Sequence, residues 1–148
     1  MSYEEKNNIV SLISTILISS GFFIYVLQNY QEGSLDSANV FNFWGSVFFL
    51  LIIVTIVSNI ILHIIFGIIN TIATKEEIPS ISDERDKLIE LKATRNSYYV
   101  FVAGFLLAMG SLVFDMSPNV MFSILFISGS AASMMDSISK LYFYRRGF

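Results

Sequence analysis

Residues 82–109 read SDERDKLIELKATRNSYYVFVAGFLLAM. The first half is densely charged, and the second is apolar enough to enter a membrane. No Pro or Gly separates the halves before Gly104, so one helix is expected to carry both. Ser82 has the N-cap chemistry to accept an orphan backbone N–H. Asp83 and Glu84 follow in the first turn, where the helix dipole favours anions. Asp83 and Lys87 make an i,i+4 pair worth a few tenths of a kcal/mol. This stretch concentrates the charge, so it orients the rest of the chain.

Working outward, the 148-residue chain is 54% hydrophobic and only 14% charged. A soluble domain carries about 25% charged residues, so the deficit makes lipid the expected solvent. A crossing needs about 20 mostly apolar residues. Four spans qualify, at roughly 9–27, 43–70, 98–114 and 120–142, with a cytoplasmic loop and helix over 74–97. The predicted fold is therefore an all-α, four-span membrane protein forming a single domain over 1–148. The second apolar run is long for one crossing and must tilt or project. The acidic N-terminus, with no small-residue cleavage site, reads as a retained helix rather than a signal peptide.

Under this topology the chain's nine Lys and Arg residues fall on one side. The connections 28–42 and 115–119 contain neither. Basic residues collect in short cytoplasmic loops, which predicts both termini inside and a multi-pass protein of the cell membrane. Trp44, Tyr25 and Tyr30 fall near the outer boundary, and Tyr98, Tyr99, Tyr142 and Tyr144 near the inner one, as amphipathic rings prefer. The turn Asp115-Met116-Ser117-Pro118-Asn119 makes the last two spans a hairpin, with Pro118 expected to stop the helix before it.

Several function classes drop out. There is no cysteine, which removes disulfides, thiolate catalysis and cysteine metal sites. No basic stripe points to nucleic acid. No HExxH, phosphate-loop or EF-hand order is present, and one histidine makes no usual zinc site. The reading is not an enzyme, with no catalytic residue, metal or cofactor assigned.

Polar groups at lipid depth carry a functional hypothesis by default. Asn59, His63 and Asn70, with Thr55, recur at helical spacing on the second span, and Asp136 is the acid of the fourth. They form the candidate intramembrane cluster. The plain alternative is that Asn59 joins helices and that Asp136 pairs with Lys140. His63 and Asp136 lie at similar depth on helices running the same way, which predicts an imidazole–carboxylate pair if those helices touch. Gly104/Ala108, Ser128/Ala132 and Gly129/Ser133 are small-xxx-small pairs that let helices approach closely.

The charged helix has two readings. Mixed charge runs are usually solvated faces. Asp83, Glu84, Arg85, Asp86, Lys87, Lys92 and Arg95 are also a candidate surface for a cytoplasmic or membrane protein partner, or for a second copy. The motif Asp83-Glu84-Arg85-Asp86, then Ile89, Lys92-Ala93 and Tyr98-Tyr99, with the ending Tyr144-Arg145-Arg146-Gly147, resembles a family of small, uncharacterised four-helix prokaryotic integral membrane proteins. Its members are often encoded beside a helix-turn-helix regulator. The resemblance covers the second half of the chain and implies the four-span fold but no activity. Two functions remain: a regulatory or interaction subunit using the cytoplasmic helix, or a small oligomeric transporter or channel.

Overall fold

The computed structural model describes residues 3–29, 37–74 and 84–146. The expectations placed on Tyr30, Lys75, Ser82, Asp83 and Gly147 lie outside the described residues. Four helices follow in order: α1 Tyr3–Asn29, α2 Ser37–Thr74, α3 Glu84–Val113 and α4 Pro118–Arg146. Each is long and apolar enough to cross a membrane. The charged and apolar halves of the opening stretch do form one helix, α3, with no break at 95–97. With 38 residues, α2 extends about 57 Å at 1.5 Å per residue.

The closest pairing is the α3–α4 hairpin; α1 lies against α4 and α2, and α2 meets α4 only lightly. The hairpin is tight because its seam is made of small residues. Ala108 is fully buried, with Gly104, Ser128 and Ala132 buried beside it. A Cβ placed on Gly104 would overlap the Ser128 side chain and come 3.4 Å from its Cα. Ser128 satisfies its own hydroxyl on the Ile124 carbonyl at 2.6 Å, so it can lie flat against that glycine without an orphaned donor. Gly129 and Ser133, read from the sequence as another close-packing pair, line a cavity with residues of α1 and α2 and Ser97 of α3. Gly129 has no side chain near the space a Cβ would fill.

Between α3 and α4 the turn is set by the backbone at Asp115, not by proline. Asp115 adopts φ 56°, in the left-handed region that Asp tolerates better than most residues. Met116 N–H donates to the Ser111 carbonyl at 3.0 Å and Asp115 N–H to the Leu112 carbonyl at 3.2 Å. Those two bonds form a Schellman motif, which ends α3 before Pro118 is reached. Pro118 instead opens α4, where its missing N–H costs nothing.

The two ends of the bundle differ. At the aromatic end, Val26, Val40, Trp44, Val47 and Phe126 form a buried cluster joining α1, α2 and α4. Trp44 stacks on Phe122 at 5.8 Å and donates its indole N–H to Asn119 Oδ1 at 3.0 Å. Trp44, which the sequence reading put near the outer boundary, is 1% exposed within the bundle, and Asn119 supplies the polar partner of its N–H. Tyr98, Tyr99 and Tyr142 do remain exposed.

At the charged end, Ile89 and Ala93 of α3 are buried against α4. Tyr144 O–H donates to Asp86 at 3.0 Å, Asn96 donates to Ser139 at 3.2 Å, and Lys92 lies over the Phe143 ring at 5.8 Å. These contacts clasp the polar extension of α3 to the last turns of α4.

Candidate functional site

Three polar lines converge between the helices. On α1, Ser11, Thr15 and Ser19 repeat every fourth residue, and on α2 so do Thr55, Asn59 and His63. On α4, Gly129, Ser133 and Ser137 do the same, flanked by Ser130 and Asp136. Residues four apart lie on one helix face, so each line runs along its helix. The faces meet around a cavity of about 330 Å³. Its lining mixes hydroxyl and amide groups, Ser97 of α3 among them, with the aliphatic side chains of Ile18 and Leu51, and among the described residues Asp136 is its one charged side chain. Leu51, which packs on the aromatic cluster, closes its far side.

A second cavity of about 410 Å³ adjoins it toward the charged end, and the two share Ser11, Asn59 and Asp136. Asn7 and Asn8, His63, Asp86, Glu90, Lys140 and Tyr144 complete this mouth. The charged half of α3 thus forms one wall of the way in.

Asp136 sits where the chambers join. Lys140 Nζ lies 2.7 Å from its Oδ2, one helical turn away. His63 bonds through Nδ1 to the Asn59 carbonyl at 2.7 Å. The imidazole–carboxylate pair expected from the sequence is therefore not made. The residues do share the mouth, but each has a partner one turn away on its own helix, and α2 touches α4 too lightly to bring the two side chains together.

Of the candidate cluster, Asn59, His63 and Asp136 face one space, while Asn70 lies nearly two turns beyond and is not part of the lining. The candidate interaction surface divides. Arg85, Asp86 and Lys92 make contacts to α4. Lys87 and Arg95 border an open groove on the opposite face with Glu90, Leu91, Thr94 and Tyr98. Glu84 is exposed at the start of α3. Among the described residues, no three His, Cys, Asp or Glu side chains gather to hold a metal ion.

Sequence reasoning missed the serines and threonines of α1, and Ser130 and Ser137 of α4. The signal was present as the four-residue spacing of hydroxyls, but Ser and Thr are common in apolar helices and mark a site only once their faces meet.

No protein-family model, curated protein or solved structure matches this chain. The family resemblance rests on its motif residues alone.

Proposed function

We propose that this is a multi-pass membrane protein with its charged end in the cytoplasm, acting as a regulatory or interaction subunit through α3. Membrane insertion is supported by four helices of sufficient length and apolarity. The orientation is supported by the one-sided distribution of Lys and Arg. One observation carries the functional reading: α3 is clasped to α4 along Asp86, Ile89 and Ala93, which presents its other face as a fixed surface. On that face Leu91 is 67% exposed between Lys87 and Arg95, beyond the apolar part of the helix. Tyr98, 61% exposed, shares that groove with Leu91 and Arg95, and tyrosine and arginine are enriched at protein contact surfaces. No catalytic step is assigned to the chain.

Photo-crosslinking in native membranes tests this. A photoreactive residue at Leu91 should give one discrete protein adduct, from a second copy or another protein, whereas one at Leu107 should give lipid adducts. Only lipid or water quenching at Leu91 overturns the reading.

A second reading, a small oligomeric transporter or channel, is favoured by the polar cavity. Against it stands the aromatic cluster between that cavity and the far end of the bundle. Solute flux through vesicles containing this chain alone would move the conclusion to this second reading.

A further inference from the structure

The inner chamber has a definite chemical sign. Among the described residues that line it, Asp136 is the one charged side chain and none is Lys, Arg or His. The same cavity is lined by Ser11, Thr15, Ser133 and Ser137, which carry hydroxyls, and by Asn59, which carries an amide. The Thr15 hydroxyl spends its proton on the Ser11 carbonyl at 2.9 Å. Its lone pairs remain as acceptors. An anion entering here would meet a carboxylate and no cation in the described lining, and a neutral solute would leave the Asp136–Lys140 pair as it stands. A cation would meet a carboxylate for which it could replace Lys140, with hydroxyl groups elsewhere in the lining.

The present partner of Asp136 indicates which cation. Lys140 Nζ at 2.7 Å is a primary ammonium on a flexible four-carbon stem, tethered one turn away. It lines the mouth and not the inner chamber, so it caps the carboxylate from the outer side. Glu90 lines that same mouth and offers a carboxylate to Lys140 if it swings off. The inner chamber is far larger than a bare ion, and the described residues supply no three-ligand metal cluster. Its size and its mixed lining of hydroxyls and aliphatic side chains suit a small organic body with hydrogen-bonding groups.

We infer that the cavity between α1, α2 and α4 binds a small primary ammonium compound, its ammonium seated on Asp136 in exchange for Lys140. The inference does not depend on the interaction reading of α3. A free amine and a phospholipid ethanolamine headgroup share this chemistry.

Titration calorimetry with ethanolamine, which is protonated at neutral pH, tests it on the purified full chain in phosphatidylglycerol nanodiscs. Saturable binding is expected, with sodium chloride and glycerol giving none at equal concentration. Losing a charge-assisted hydrogen bond should weaken binding by about tenfold or more in Asp136→Asn. Lys140→Met removes the internal competitor and should tighten binding several-fold, an effect that a purely structural ion pair does not produce. Where the headgroup is the natural occupant, phosphatidylethanolamine nanodiscs should suppress ethanolamine binding in wild type and more strongly in Lys140→Met. A free amine leaves binding equal in both lipids. Equal binding by wild type and Asp136→Asn, weaker binding by Lys140→Met, or no heat from ethanolamine in either wild type or Lys140→Met overturns the inference. Thermal unfolding of Lys140→Met with and without ethanolamine supplies a second readout if Asp136→Asn does not fold.

Discussion

Trp44 has two jobs that the same burial imposes. Its ring fills the aromatic end against Phe122 and Phe48, and its N–H needs an acceptor because almost none of it reaches the surface. Asn119 is that acceptor, 75 residues away in the chain. Asn119→Ala leaves a buried donor without a partner, a loss of about 1–3 kcal/mol. Trp44→Phe removes the donor as well. In the Trp44→Phe background, Asn119→Ala should therefore cost much less. Unfolding of the four variants in detergent gives the coupling energy, and additive losses would detach the bond from stability. Asp136 shows the opposite case: its partner, Lys140, is four residues away and could be named from sequence spacing alone.

At the scale of the element, helix length follows from apolar pattern, but helix ends follow from backbone chemistry. A sequence containing Pro118 invites the proline as the stop signal. The stop is instead Asp115, one residue in a conformation most side chains resist. For a β-branched residue that conformation costs about 1–2 kcal/mol. Asp115→Val should lose about that much stability, while Asp115→Gly should lose nothing measurable. Equal losses from both in a thermal melt would mean that the Asp115 side chain, and not the left-handed backbone, closes the hairpin. The continuity of α3 was legible because no breaker interrupts 84–103, and propensity needed no tertiary help. The division of α4 into a seam face and a cavity face was not legible. Ser128, Gly129, Ala132 and Ser133 are all small, and only the position of α3 decides which two are pressed against it.

The whole molecule is asymmetric along its axis, with an aromatic, closed end and a charged, open one. Under the proposed orientation the open end faces the cytoplasm. Single cysteines test it, since the natural chain has none. Ser117→Cys in the α3–α4 turn should react with an impermeant thiol reagent added to whole cells. Arg145→Cys should react only after the membrane is breached. The reverse pattern would invert the molecule and place the Leu91 surface and the mouth of the cavity outside. The bundle is also unevenly packed: α3 and α4 are close, while α2 leaves most of its isoleucines exposed. That looseness leaves room for the polar space between α1, α2 and α4.

By itself the sequence determined four long apolar helices, the continuity of α3 and the gathering of the bases at one end. Each is a property of local composition, and hydrophobic length and backbone propensity act within a segment. Tertiary structure alone decided that Trp44 would be buried on Asn119, that His63 would miss Asp136, and that the hydroxyls of Ser11, Thr15 and Ser133 would line one chamber. Those outcomes depend on how helices are rotated and spaced. A rotation of one residue, about 100°, is enough to turn a cavity wall into an outer face, and four-residue spacing is silent about which way a face points.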